Sequence, residues 1–578
     1  MPSTQSPTIA YFSMEIALET SLPTYSGGLG VLAGDTIRAA ADLGAPMVAV
    51  TLLHRRGYFV QHLDAAGRQT ETAVDWNPED RLEPLQPRVT VEVEGRTVHV
   101  RAWQYLVRGV TGRTVPVFLL DTALPENSPD DQHITDVLYG GDNEYRLRQE
   151  IVLGIAGAAM LRALGIEGEI IHHINEGHAA LLTLALLERQ REGRWDSDVS
   201  EADVAAVRHQ CVFTTHTPVP AGHDKFPLEL TRRILGEQRV DLLQRAGALD
   251  GDWLNMTLLA LRFTRFVNAV AMRHQEVSRE MFPQYEIESI TNGVHGVTWT
   301  SEPFRQLFDR YIPRWRQNNL YFRYAVKIPL EEIRDVHAAA KSILLGEVQR
   351  RTGVVLDPKV MTIGFARRST PYKRADLIFS DLDRLREMTR RVGPLQIVYA
   401  GKAHPRDEFG KQLIQRIYEA KAQLGDALKV VYLENYDMTL GGILTAGADV
   451  WLNTPMRPLE ASGTSGMKAA LNGVPSFSIL DGWWIEGCVE GVTGWAIGED
   501  RALPQDPSHD AVDLYRKLER EILPLYYGLP YRWAEVSRNA IALNGSFFNT
   551  QRMVGEYFQN AYFPGGGVVQ SIASVTVG

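Results

Sequence analysis

Short apolar runs bounded by turn residues alternate with helix-period segments along most of the chain. Pro46 to Leu53, Glu169 to Ile174 and Val212 to Thr215 read as buried strands, and the patterns Leu32 to Leu43 and Tyr145 to Leu164 read as helices. The rhythm returns from Lys359 onward, where Val360 to Phe365, Leu395 to Ala400, Val430 to Leu433, Ala448 to Asn453 and Pro475 to Leu480 each read as a strand. Strands alternating with helices predict parallel sheets, so the expected fold class is α/β with two Rossmann-like doubly wound domains. Gly154 and Gly157 inside a helical pattern point to close packing on a sheet. Trp299 to Gly353 is helical and aromatic, and Ile328-Pro329 marks a turn before a helix over Leu330 to Arg351. The expected division is residues 1–325, a hinge helix over 326–357, a second domain over 358–545, and a C-terminal helix and tail over 546–578 returning to the first domain. Within the helical stretch Val512 to Phe563 and beyond it, only Gly565 to Gly578 reads as a loose tail.

With 578 residues, 44% hydrophobic and 22% charged, the chain is long enough for two or more cored domains. A formal net charge of -10 disfavours nucleic acid and anionic lipid as partners, so any anion site is built locally. Two cysteines, Cys211 and Cys488, suggest neither a disulfide framework nor a thiolate metal site. The N-terminus lacks a basic start with a continuous apolar core, and apolar runs such as Ala45 to Leu53 are too short to span a bilayer. The expected location is cytoplasmic. The 11 tryptophans and 21 tyrosines suit carbohydrate surfaces, but aromatic residues more often fill cores.

The candidate chemistry collects at predicted strand ends. Glu460 to Gly473 reads E-A-S-G-T-S-G-M-K-A-A-L-N-G, follows an apolar run and opens a helical pattern, so its backbone N–H groups form an anion cradle. Lys468 beside that cradle is a carrier for the aldehyde of pyridoxal phosphate. Nucleotide-sugar transferases with two Rossmann-like domains carry two carboxylates at this spacing; here Glu460 holds the first place and Lys468 the second. The bland reading makes Gly463, Gly466 and Gly473 turn and cap glycines and Lys468 a solvated helix lysine. A second glycine loop, Tyr25 to Gly30, precedes the helical pattern from Leu32, and a plain turn is equally open there. Gly364 to Arg374, G-F-A-R-R-S-T-P-Y-K-R, sets four cations within eight residues at a strand end, a phosphate site or a solvated basic turn. His173, Glu176 and His178 match no zinc spacing, so no metal is expected, and no G-x-S-x-G elbow supports a serine hydrolase.

Together these segments resemble the α-glucan phosphorylases, the glycogen, starch and maltodextrin phosphorylase family, and within it the short divergent bacterial and archaeal branch. The strings that carry the resemblance are Y-S-G-G-L-G-V-L-A-G-D, L-Y-G-G-D-N-E-Y-R-L-R-Q-E, H-I-N-E-G-H-A-A, T-T-H-T-P-V-P-A-G-H, I-T-N-G-V-H, A-R-R-S-T-P-Y-K-R, G-K-A-H-P, L-E-N-Y-D-M and the Lys468 segment. The resemblance implies a GT-B architecture with an active site between the domains and pyridoxal 5'-phosphate held as a Schiff base on Lys468. The implied reaction is reversible phosphorolysis of an α-1,4-glucan or maltooligosaccharide by inorganic phosphate, giving α-glucose 1-phosphate with retention.

The family's catalytic roles fall on Lys468, Arg368, Lys373 and His216. Arg367, Lys373, Thr464, Ser465 and Tyr436 would surround the cofactor phosphate, and Arg368, Lys373, Gly27 and Gly28 the substrate phosphate. His216 and Asn292 would face the sugar 6-hydroxyl, Glu460, Ser462 and Gly463 the 3- and 4-hydroxyls, and Tyr372 and Asn143 the 2-hydroxyl. A homodimer is the family habit. Several positions depart from the long enzymes: Arg367 and Thr370 replace lysine and histidine, Gly466 replaces an asparagine, and Trp483-Trp484 replace small residues. Two rival readings stand beside this one, a nucleotide-sugar glycosyltransferase of the same fold and a catalytically silent glucan-binding homologue.

Overall fold

Nine strands form the first sheet of the computed structural model, which describes residues 7–192, 194, 197–498 and 507–564. From one edge they run Glu288–Ser289, Phe266–Ala269, Cys211–Thr214, Ile170–Asn175, Thr8–Ser13, Met47–Leu52, Thr114–Asp121, Arg96–Arg108 and Glu83–Val93. The first seven are mutually parallel and the last two antiparallel. The second sheet is parallel throughout, in the order Lys429–Leu433, Leu395–Ala400, Met361–Ala366, Val450–Asn453, Ser476–Ile479 and Gly494–Ile497.

Counting each set of parallel strands in chain order, both sheets begin 3-2-1-4-5-6. In such a sheet the strand order reverses between the first and fourth strands, and the crevice at their carboxyl ends is where ligands bind. That point falls after Ser13 and Asn175 in the first sheet, and after Ala366 and Asn453 in the second. Alternate residues feed opposite faces: Ala10 and Phe12 join one core, Ile9 and Tyr11 the other. Ile363 and Phe365 likewise lie opposite Ala366 and Trp451.

Each run read as a strand holds one, and no end moves by more than two residues. The antiparallel excursion Glu83–Asp121 went unread, although Arg88 to Val93 and Thr97 to Val100 are strictly alternating and join through Glu94-Gly95, both at positive φ (53° and 70°). The hairpin Val60–Leu63/Gln69–Thr72 was also missed. It reaches to the second sheet: Gln61 Nε2 donates to the Gly401 carbonyl at 2.9 Å, and Gln69 Nε2 to that of Ala403 at 2.9 Å.

The helix expected over Tyr145 to Leu164 is three segments, Asn143–Ile151, a π-helical turn Val152–Ala156, and Gly157–Ala163. The wide turn changes which face each glycine presents. Gly157 meets the sheet, where a Cβ would lie 2.9 Å from Phe12, but Gly154 packs on the backbone of Leu182, 2.6 Å from its nitrogen. The C-terminal helical stretch is broken at Leu529-Pro530 and again near Ser546, and Met553, Tyr557 and Tyr562 pack with Ile9, Tyr11 and Ile37 of the first sheet's core. The tail Gly565 to Gly578 lies outside the described residues.

Helix Leu330–Thr352 ends at Gly353 in the left-handed region, as its sequence demands. A buried network ties it to the second sheet: Lys341 Nζ donates to Asp449 Oδ2 at 2.6 Å and to the Val360 carbonyl at 2.7 Å, and His337 Nε2 lies 2.9 Å from Asp449 Oδ1. Removing the ammonium leaves a buried carboxylate short of compensation. Lys341→Met is therefore expected to destabilise the protein by about 3–5 kcal/mol, read as a lower denaturant midpoint at constant pH.

Candidate active site

Helix Gly28–Leu43 starts with no side-chain cap, so its first N–H groups face outward from the end of the loop Tyr25 to Gly30. The Glu15 carboxylate, leaving strand Thr8–Ser13 at the reversal point, accepts the Ser26 N–H at 2.5 Å and the Gly27 N–H at 3.2 Å through Oε2. Its other oxygen accepts the Tyr139 hydroxyl at 3.0 Å. Gly28 remains open, with nothing within 4 Å of a built Cβ, whereas a Cβ on Gly27 would lie 3.0 Å from the terminal nitrogen of Arg368. The first glycine loop and the cationic segment thus meet, although their residues are over 300 apart in sequence.

Each cation of that segment has a different fate. Arg374 is buried on the Thr454 and Pro455 carbonyls and on Asp510 at 2.7 Å. Arg367 and Lys373 share one acceptor, Glu460 Oε2, at 2.5 and 2.7 Å. Burial pushes the Glu460 carboxyl up, but these two cations outweigh it and hold it below the usual range. Arg368 forms no ion pair or hydrogen bond among the described residues. Crowding by protein disfavours its charge, yet Tyr58, Glu15 and Tyr372 more than offset this and raise its pKa. It reaches solvent all the same.

Lys468 lies in the buried helix Thr464–Leu471, which starts after Gly463 at φ 88° with no side-chain cap. Its Nζ has no hydrogen-bond or ionic partner among the described residues and sits 3.8 Å from the centre of the Trp299 ring. Burial lowers its pKa to about 8, against a small opposing pull from Asp35. Trp299 Nε1 in turn donates to Asp35 Oδ2 at 2.6 Å, on helix Gly28–Leu43.

The glycine at 466 and the tryptophan at 483 explain one another. A Cβ on Gly466 would lie 2.7 Å from Trp483, so the indole occupies the space a side chain would need. Trp483 is buried, donates its backbone N–H to the Ser462 carbonyl at 2.9 Å, and buttresses the 460–466 segment. Asp481 clamps the same segment by accepting the Glu460 N–H at 2.9 Å, and burial pushes its carboxyl up to about 7.

His216 Nε2 lies 2.6 Å from Asn175 Oδ1, and its backbone N–H donates to Glu176 Oε2 at 2.8 Å. Burial lowers its pKa to about 4, so the ring is neutral at pH 7. Asn292 Oδ1 and Ser462 Oγ are buried without a hydrogen-bond partner, both at positions expected to face a sugar. The Tyr372 ring lies 4.3 Å from Lys373 Nζ. Tyr436 is held protonated by burial and by Asp437, with Arg367 opposing. Ser465 Oγ accepts the Trp451 indole N–H at 3.0 Å, while the Thr464 side chain forms no hydrogen bond among the described residues. Asn143 is exposed at the start of its helix and its side chain bonds to none of these residues. His173 is a core residue held by Tyr562 and Thr214 hydroxyls at 2.6 and 2.8 Å.

Sequence reading missed Glu15, Trp299 and Asp481. Glu15 acts on a loop 12 residues away, and the signal that could have found it is the apolar run Ile9 to Phe12 just before it, which the structure makes strand Thr8–Ser13 and the sequence reading passed over. Chemically, the arrangement offers one arginine without an ionic partner, a partly neutral lysine and two unsatisfied buried oxygens.

Residues 238–494 match the family described as Carbohydrate phosphorylase. The chain is 42% identical to the maltodextrin phosphorylase of Thermococcus litoralis, over 97% of this chain and 71% of that protein. It is 37% identical to the glycogen phosphorylase of Mycobacterium tuberculosis, over 96% and 71%, and 35% identical to that of Aquifex aeolicus, over 96% and 86%.

The fit between positions 466 and 483 is testable as a pair. Gly466→Asn alone should cost about 1–3 kcal/mol by overpacking, and Trp483→Ala alone about 3–5 kcal/mol by opening a cavity. The double variant should fall short of their sum by more than about 1 kcal/mol in thermal or chemical unfolding.

Proposed function

The chain belongs to the carbohydrate phosphorylase family, and from that premise we propose that it is an α-glucan phosphorylase. It moves terminal α-1,4-linked glucose from glycogen or maltodextrin to inorganic phosphate and releases α-glucose 1-phosphate with retention. The observation that carries this reading is that two side chains without a carboxylate partner are tied to one helix: Arg368 meets the glycine loop that opens helix Gly28–Leu43, and Lys468 stands over Trp299, which bonds to Asp35 of that helix.

The residues fit pyridoxal 5'-phosphate. Lys468 offers an amine with no competing partner and an appreciable neutral fraction near pH 8, and the uncapped turn at Thr464 and Ser465 with Arg367 offers donors for a phosphate. When bound, the cofactor supplies a phosphate that exchanges a proton with the substrate phosphate. Arg368, Lys373 and the Gly28 N–H hold the substrate phosphate and favour its charged form. Glu460 shares Lys373 with that phosphate, which keeps the lysine ammonium fixed in direction.

The neutral His216 donates from Nε2 to Asn175 and so offers Nδ1 as an acceptor at the sugar, and its carbonyl faces the positive charge that develops at the anomeric carbon. Asn292 Oδ1 and Ser462 Oγ take hydroxyl partners from glucose, which would satisfy both buried atoms. Tyr372 and Asn143 stand toward the 2-hydroxyl, and Tyr436 toward the cofactor phosphate. The GT-B arrangement, with the opening as an interdomain cleft and the hinge near 326–357, is supported by two sheets of the same strand order whose reversal points supply these residues. No helix of the described residues is long and apolar enough to cross a membrane. Placement in the cytoplasm and a homodimer rest on the family alone.

Incubating the cofactor-loaded protein with maltodextrin and phosphate is expected to release glucose 1-phosphate, and absence of release would overturn the reading. Lys468→Ala should abolish both cofactor attachment, read by borohydride trapping, and turnover. Capture of the pyridoxal aldehyde by the cofactor-free protein should accelerate as pH rises through about 8 and then level, because only the neutral amine attacks. Arg368→Ala should raise the KM for phosphate at least about tenfold, the cost of one charge-assisted contact, and leave that for glucan nearly unchanged.

A further inference from the structure

The mechanism above leaves one buried acid at its centre unused. Glu15 is 1% exposed, and it sits not on a cation but on the backbone of the glycine loop. Helix N-termini and glycine loops bind anions because several N–H groups converge, and any of them can serve as the anchor. Here one carboxylate oxygen already takes the N–H groups of Ser26 and Gly27, at 2.5 and 3.2 Å. The Tyr139 hydroxyl fixes the other oxygen at 3.0 Å, and the Arg146 guanidinium lies 4.5 Å from the centre of the Tyr139 ring. A Cβ on Gly30 would lie 2.7 Å from Glu15 Oε2, so only a glycine lets the helix start close over the carboxylate.

We infer that Glu15 is an internal anion that occupies the first two donors of the phosphate loop and so confines substrate phosphate to Gly28 and Arg368. It is a positioning residue. Its negative charge also opposes a second or misplaced anion, which matters in a site asked to hold two phosphates at once. The carboxylate therefore weakens phosphate binding while fixing its register, and turnover gains because one placement is in line with the glycosidic bond. This inference rests on the phosphorylase reading and deepens it.

The test measures initial rates of phosphorolysis by the cofactor-loaded wild type, Glu15→Gln, Glu15→Ala and Tyr139→Phe, varying phosphate and maltodextrin separately. Glu15→Gln is nearly isosteric and removes the charge; Glu15→Ala frees both loop donors. In both, the KM for phosphate should fall at least threefold, the KM for maltodextrin should stay within twofold, and kcat should fall, by tenfold or more in Glu15→Ala. Tyr139→Phe, which unpins the carboxylate without removing it, should move the same way by a smaller factor and serves if the Glu15 variants fail to fold. A purely structural brace would lower the active fraction and leave both KM values in place. A phosphate KM that is unchanged or raised in the variants, with an active wild type, overturns the inference alone. A wild type that releases no glucose 1-phosphate overturns the phosphorylase reading and this inference with it.

Discussion

Charge balance at the carboxyl end of strand Met361–Ala366 governs how the rest of the site is built. Four cations follow that strand within eight residues, and buried cations without compensation are costly. Asp510 and two carbonyls take Arg374, and Glu460 takes Arg367 and Lys373 together. Arg368 is carried instead to the glycine loop of the other sheet, where it reaches solvent and where Tyr58, Glu15 and Tyr372 favour its charge without forming an ion pair with it. The 460–468 segment has to lie close to strand Met361–Ala366 to supply Glu460, and this sets where Lys468 emerges. Placement of Lys468 is thus coupled to the neutralising of Arg367 and Lys373.

Much of this was legible along the chain because parallel strands write themselves as short apolar runs, and residues just past such runs stand at the carboxyl edge where ligands bind. Arg367, Arg368, Lys373, Glu460 and His216 all follow predicted strands directly or within a few residues. The antiparallel excursion was missed for a different reason. Its strands alternate apolar and polar residues, so a search for continuous apolar runs passes over them. The fate of individual charges was less legible still. Sequence could place Glu460 near sugar hydroxyls by resemblance, but only the fold shows that both neighbouring cations converge on one of its oxygens.

The departures from the long enzymes show the same limit from another side. Gly466 and Trp483-Trp484 read as unrelated oddities 17 residues apart, one shrinking a side chain and the other enlarging it. Folding places the large group in the room vacated by the small one, so the backbone of the 460–466 segment is held from behind by an indole. The missing side chain at 466 makes room for part of the indole, and a Cβ there would lie 2.7 Å from it. The exchange therefore bears on how the lysine helix is supported.

Helix Gly28–Leu43 joins the two halves of the chemistry. Its N-terminus carries the glycine loop against Arg368, and about two turns further along, Asp35 accepts the Trp299 indole at 2.6 Å, with Lys468 Nζ stacked 3.8 Å from that ring's centre. Asp35 also accepts the His295 N–H at 3.1 Å, which pins the Asn292–His295 turn and with it the unsatisfied Asn292 oxygen. The glycine loop, Lys468 and the Asn292 oxygen are therefore all indexed to a single element, although they arise from both sheets. Reactions that depend on two phosphates meeting in one orientation demand that kind of common reference, since displacements of an ångström in either partner cost orders of magnitude in rate. A helix packed along its length against a sheet meets that demand better than any loop, because its residues are held by many apolar contacts at once.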